Sequence, residues 1–169
     1  VNAKMIKNSG AKYIILGHSE NRANGDTNIT INKKINSALK QKLTVIFCIG
    51  ETLFQKKRKQ TNKIIRKQIT QGLKGFKKNS RIIISYEPVW SIGTGIVPKN
   101  YELEKNIKFI NSVVLKNTKL KKAKILYGGS VNPKNIQNLN TINMLDGYLI
   151  GGASQNPKKL IDIIKKSYN

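Results

Sequence analysis

The sequence predicts an α/β fold: a parallel sheet interleaved with helices and closing toward a barrel. Three observations carry this expectation. Five short runs of apolar, β-prone residues recur along 169 residues. Longer stretches with helical apolar spacing separate them, and such alternation means α/β. Each apolar run ends at once in a turn of small or polar residues, so chemically capable side chains gather at the C-terminal ends of several strands. A doubly wound sheet concentrates its site at one switch point. A barrel spreads it around the rim, which is the pattern here.

The elements follow in order. Tyr13-Ile14-Ile15-Leu16 is the first strand and opens into Gly17-His18-Ser19-Glu20. Ile31, Ile35, Ala38 and Leu39 then form one helical face. The run Leu43 to Cys48 is the second strand, ending in Gly50-Glu51, and Ile65, Ile69 and Leu73 mark the next helix. Arg81 to Tyr86 is the third strand, followed by Glu87-Pro88. Leu103, Ile107, Ile110 and Val114 step by four, three and four as a helical stripe. Lys124 to Tyr127 is the fourth strand, closed by Gly128-Gly129-Ser130, and Gly147 to Ile150 is the fifth, closed by Gly151-Gly152-Ala153-Ser154. Leu160, Ile161 and Ile164 give the last helix its face. Asn132-Pro133 and Asn156-Pro157 each set a capping residue before a proline, as helix starts prefer. None of the strands alternates polar with apolar, which fits strands covered on both faces.

Composition narrows the function. The length suits one domain. The apolar runs are far too short to span a bilayer, and no leader pattern is visible at the start. One cysteine, Cys48, and one histidine, His18, exclude a disulfide framework and a cysteine-based zinc site. The formal charge is +24, which raises nucleic acid as a partner. Yet 28 of the 32 basic residues are lysine, and Lys, Asn and Ile together make up 73 of 169 residues, a set that shares A/T-rich codons. Arginine, the usual reader of guanine, is scarce. The basic runs Lys56-Lys57-Arg58-Lys59, Lys77-Lys78, Lys121-Lys122 and Lys158-Lys159 read as helical surface and do not interleave with aromatics. The charge speaks for codon bias and a weak, salt-dependent pull on anions, and against nucleic acid.

Three of the eight acids follow strands directly: Glu20, Glu51 and Glu87. Glu87 stands out, because a carboxylate at the mouth of an apolar strand is partly desolvated and becomes a better base. A salt-bridged rim residue is the competing reading. His18 lies among the same rim residues, where a structural and a catalytic role are evenly matched. The two late glycine turns precede helix starts and can offer backbone N–H groups to an anion. In phosphate-binding barrels the loops after the last two strands do this; relief of tight turns is the alternative. The segment from Pro88 to Gly95 joins a stiff proline and a large tryptophan to two glycines, a composition suited to a hinged loop.

Four segments then match one family in order and spacing: Ile15-Leu16-Gly17-His18-Ser19-Glu20-Asn21-Arg22; Cys48-Ile49-Gly50-Glu51-Thr52; Ser85-Tyr86-Glu87-Pro88-Val89-Trp90-Ser91-Ile92-Gly93-Thr94-Gly95; and Leu126-Tyr127-Gly128-Gly129-Ser130-Val131 with Asp146-Gly147 and Ile150 to Ser154. The chain resembles the triosephosphate isomerases. The resemblance implies a (β/α)8 barrel, of which residues 1–169 are the C-terminal part, strands four to eight. It implies interconversion of dihydroxyacetone phosphate and D-glyceraldehyde 3-phosphate through an enediolate, in glycolysis and gluconeogenesis, with no cofactor and no metal. Glu87 is then the base and His18 a neutral electrophile, an assignment borrowed from the family's own acid/base chemistry. Gly93, Ser130, Gly151 and Gly152 hold the substrate phosphate, Glu20 supports the site from behind, and the loop from Pro88 to about Lys99 closes over it. A cytoplasmic homodimer is expected for the complete protein. The family's first three units, with an Asn and a Lys on strand one, have no counterpart here, so the chain alone is expected to be inactive. The alternative is a non-catalytic remnant, or an anion- or RNA-binding protein that uses its basic surface. Intact Glu87, His18 and the loop between Pro88 and Gly95 argue for the enzyme.

Overall fold

The computed structural model describes residues 1–77, 80–120 and 123–168. Five strands, β1 (Tyr13–Leu16), β2 (Thr44–Ile49), β3 (Ile82–Tyr86), β4 (Lys124–Tyr127) and β5 (Gly147–Tyr148), form one sheet. Every pairing is parallel and the order is β1-β2-β3-β4-β5. That order separates the two architectures. A doubly wound sheet reverses direction at its switch point, whereas this sheet advances one way throughout. With right-handed crossovers, a constant direction puts the connecting helices on one face. The other face becomes the inside of the curve. The five strands and their helices are those of a partial barrel.

The helices are α1 (Ala3–Asn8), α2 (Ser19–Ala23), α3 (Asn28–Lys40), α4 (Leu53–Lys57), α5 (Thr61–Gly72), α6 (Asn100–Asn117), α7 (Ile136–Asn140) and α8 (Pro157–Tyr168). Local chemistry sets their starts. Thr27 and Thr30 cap α3 reciprocally, and Thr52 and Gln55 do the same for α4. Asn156 accepts from the Lys159 amide at 3.1 Å, as the Asn-Pro pair predicts for α8. Asn132 accepts from the amides of Lys134 and Asn135, but it caps a turn, and α7 begins only at Ile136.

The core lies between the sheet and the helix layer. Val45, Phe47 and Ile49 of β2 and Ile82, Ile84 and Tyr86 of β3 are buried, together with Ile31 and Ile35 of α3, Ile65 and Ile69 of α5, and Leu103, Ile107 and Ile110 of α6. Burying each such side chain contributes roughly 1.5–3 kcal/mol. The alternate residues face inward. There the cover is partial: Tyr13 and Ile15 on β1 are 58% and 45% exposed.

Several expectations are corrected. The last helix buries Ile163, while Ile161 and Ile164 lie exposed. The reason is its place at the sheet edge, where α8 packs against α7 and the turn at Gly152–Gln155. The fifth strand is two residues long, although the Leu149 amide still bonds to Tyr127 O at 2.9 Å. Leu73 is buried but follows the end of α5. Lys77 lies in irregular chain and not on a helix, and Lys78, Lys121 and Lys122 fall outside the described residues. Among the described residues no helix is long and apolar enough to cross a membrane.

Candidate active site

His18, Glu87, Gly93, Ser130, Gly151 and Gly152 all line one cavity of about 640 Å³ at the C-terminal rim of the sheet. Six residues from four separate turns thus meet in one place. Parallel strands explain it, because every strand delivers the residues that follow it to the same edge.

Glu87 leaves the end of β3. Its amide donates to Ile49 O at 2.7 Å, which fixes the backbone in the sheet ladder. The side chain is 2% exposed. Ser85 Oγ donates to Oε1 at 2.9 Å, whereas Oε2 has no hydrogen-bond partner among the described residues. His18 Nε2 lies 3.8 Å from Oε2, beyond hydrogen-bond length. Burial raises the proton affinity of the carboxyl group; the Cys48 thiol, the Ser85 hydroxyl, His18 and Arg22 offset part of that rise. A carboxylate desolvated in this way is a stronger base than one in water.

His18 follows β1 and precedes α2. The sharp exit there needs Gly17, which has φ +79° and sits where a Cβ would come within 2.9 Å of Cys48 O. Arg22 braces the turn: its guanidinium donates to Gly17 O at 2.7 Å, Asn28 Oδ1 at 2.7 Å and Cys48 O at 3.0 Å. Glu20 stands apart from the cavity, with its side chain largely exposed and Oε2 3.9 Å from His18 Nδ1.

The segment after Glu87 makes one 3-10 turn, Val89–Ser91, and is tied to the body of the fold, the Val89 amide donating to Glu51 O at 3.0 Å. The Trp90 indole donates to Glu51 Oε1 at 3.0 Å, and the Tyr86 hydroxyl donates to Glu51 Oε2 at 3.1 Å. Glu51, one of the three acids that follow strands directly, is therefore a buried anchor for this loop. The Ser91 hydroxyl donates to Ile96 O and lies 2.8 Å from the Tyr127 hydroxyl. The Ser130 amide donates to Ser91 Oγ at 3.3 Å, so the loop and the glycine turn after β4 are joined. Sequence reasoning missed Ser85, Ser91 and Arg22. It also missed Lys134 and Lys159, which line the cavity. Among 28 lysines nothing in the sequence marks those two. The two-residue spacing of Ser85 and Glu87 on a strand was the available signal for Ser85.

The fold and site together define a class: a parallel α/β-barrel enzyme with a carboxylate and an imidazole beside glycine turns suited to an anion. The comparisons supply the family. The triosephosphate isomerase profile matches residues 1–167. The triosephosphate isomerase of Thermodesulfovibrio yellowstonii is 40% identical over 98% of this chain and 68% of its own length. That of Geotalea uraniireducens is 40% identical over 99% of this chain and 69% of its own, and that of Mycoplasmopsis pulmonis 39% over 97% and 64%. The chain belongs to the triosephosphate isomerase family, and it spans about two thirds of the length of these relatives.

Proposed function

We propose that this chain carries the proton-transfer machinery of an isomerase that interconverts dihydroxyacetone phosphate and D-glyceraldehyde 3-phosphate. One observation carries the reading: a buried carboxylate with an unpartnered oxygen shares its cavity with an imidazole and with Gly93, Ser130, Gly151 and Gly152. Glu87 takes the proton from the carbon beside the substrate carbonyl. The enediolate that results carries negative charge on its oxygens, and His18 donates a hydrogen bond to them. Glu87 then returns the proton to the neighbouring carbon, while the hydroxyl proton passes from the first oxygen to the second beside His18, so that the aldehyde forms with no net change in protons. Backbone N–H groups of Gly93, Gly151 and Gly152 bind the phosphate, joined by that of Ser130 as it exchanges its 3.3 Å bond to Ser91 Oγ, and Glu20 supports His18 from outside the cavity. Closure of the loop from Pro88 to about Lys99 excludes water and protects the enediolate from loss of phosphate.

Residues 1–169 form the C-terminal part of a single barrel domain in this reading. With one face of β1 open, these residues alone are inactive, and turnover belongs to the complete eight-stranded protein, a cytoplasmic homodimer. The competing reading, an anion- or RNA-binding remnant, has behind it only the net charge of +24, which the lysine-rich composition already explains as codon bias. Steady-state assay of the complete protein decides between them. Wild type turns over glyceraldehyde 3-phosphate, and Glu87→Gln cuts kcat by about 10²–10⁴ with KM changed only a few fold. Near-normal turnover in that variant removes Glu87 as the base; no turnover in wild type leaves the binding reading.

A further inference from the structure

We propose that Ser85 is a positioning residue for the base: its hydroxyl holds the Glu87 carboxylate by one oxygen and leaves the other as the proton acceptor. The inference rests on the reading of Glu87 as the base. Ser85 and Glu87 are two residues apart at the end of β3, so both side chains leave the same face, toward the inside of the curve. Tyr86, between them, points the other way and bonds to Glu51 and Asn106. Ser85 is fully buried, with its Oγ 2.9 Å from Glu87 Oε1. A hydroxyl has one proton to give, and an ionised carboxylate only accepts, so the direction of the bond is fixed.

The surroundings fit that bond closely. A Cβ on Gly128, at the end of β4, would lie 2.5 Å from both Ser85 Oγ and Glu87 Cγ, and 2.8 Å from Oε1. The niche accepts the serine hydroxyl and the carboxylate together only because residue 128 has no side chain. The other groups facing the carboxylate come from different elements. His18, from the turn after β1, stands 3.8 Å from Oε2. The Cys48 thiol faces it from β2, and a thiol is a weak donor. Arg22 of α2 acts from a distance, its guanidinium already bonded to Gly17, Cys48 and Asn28. The two carboxylate oxygens are thereby made unequal. Oε1 is anchored by a neutral donor, and Oε2 is buried and has no hydrogen-bond partner among the described residues.

The anchor has two consequences. A hydrogen bond to the charged form favours ionisation, which counters burial and keeps the base deprotonated at lower pH. It also limits rotation of the carboxylate, which keeps Oε2 aimed at the substrate carbon.

The test is the pH dependence of kcat/KM in the complete protein, with glyceraldehyde 3-phosphate as substrate, for wild type, Ser85→Ala, Ser85→Thr and Glu87→Gln. Thermal unfolding of each variant is recorded alongside. Ser85→Ala is expected to move the acid limb up by about 0.5–1 pH unit. It is also expected to lower kcat at the plateau by about 3–10-fold with KM little changed. Ser85→Thr, or Ser85→Cys if the added methyl group unfolds the threonine variant, returns the acid limb toward wild type. An unmoved acid limb in a folded Ser85→Ala protein overturns the proposal, whatever happens to kcat. If that occurs while Glu87→Gln is inactive, the base assignment stands without Ser85. If Glu87→Gln turns over normally, both fall.

Discussion

Replacing Tyr86 by Phe removes one oxygen from the centre of the loop anchor. In the wild-type chain that hydroxyl is fully buried, donates to Glu51 Oε2 at 3.1 Å and accepts from Asn106 Nδ2 at 2.9 Å. The variant leaves the Glu51 carboxylate with the Trp90 indole as its remaining side-chain donor. A hydrogen bond to a charged group contributes about 1.5–3 kcal/mol, and a stranded amide costs about 1 kcal/mol when partly solvated. The expected loss is therefore about 2–4 kcal/mol, a fall in Tm of roughly 5–12 °C for a chain of this size. The loss depends on pH with a definite sign. Burial raises the Glu51 carboxyl above its ordinary range, and the hydrogen bonds from Trp90, its own backbone and Tyr86, with the charge of Lys56, offset part of the rise. For an acid whose folded pKa lies above its unfolded value, stability is greatest below the unfolded pKa and falls as pH rises toward the folded one. Tyr86→Phe pushes the folded value higher still, so the gap between variant and wild type is wide at pH 7 and narrows toward pH 4. Urea unfolding at pH 4, 5 and 7, followed by Trp90 fluorescence, measures it. A loss under about 0.5 kcal/mol at pH 7, or one that grows toward pH 4, refutes the reasoning.

Two further predictions concern the same rim. Gln68 is buried and clamps Gly50 from both sides, its Oε1 accepting from the Gly50 amide at 2.9 Å and its Nε2 donating to Gly50 O at 3.0 Å. Gln68→Leu strands both backbone groups and is expected to destabilise the chain by about 2–4 kcal/mol in urea; a change under about 1 kcal/mol contradicts the clamp. Cys48 is 1% exposed and its thiol is pushed well above the ordinary range by burial and by Glu87. Iodoacetamide is therefore expected to label it only as fast as the chain unfolds, and rapid labelling of the native chain, followed by mass spectrometry, would show otherwise.

Much of the arrangement was legible in the residues. The runs at Tyr13–Leu16 and Lys124–Tyr127 coincide with β1 and β4, because a short block of β-prone residues between turns has no competing periodicity. The stripe Leu103, Ile107, Ile110 and Val114 is buried as expected, since α6 joins β3 to β4 and packs beside α5. Ile161 and Ile164 carry an equally regular spacing and lie exposed, because burial at a sheet edge depends on neighbours that local periodicity does not describe. Glu87 and His18 were legible because parallel strands deliver their following residues to one rim. Arg22 was not, because its value lies in bonds to Gly17, Asn28 and Cys48, one of them 26 positions away. Glu51 carries no local sign that Tyr86 and Trp90 will converge on it.

The central claim is that the Glu87 carboxylate moves the proton between two carbons, and solvent deuterium reports that step directly. The complete protein and its Glu87→Gln variant are each incubated in D2O with dihydroxyacetone phosphate, and the product is trapped and read by proton NMR. The account predicts glyceraldehyde 3-phosphate carrying deuterium at carbon 2 with wild type, through exchange of the carboxyl proton with solvent, and labelled product formed about 10²–10⁴-fold more slowly with the variant. Labelled product formed by the variant at a rate near that of wild type would mean that another group transfers the proton.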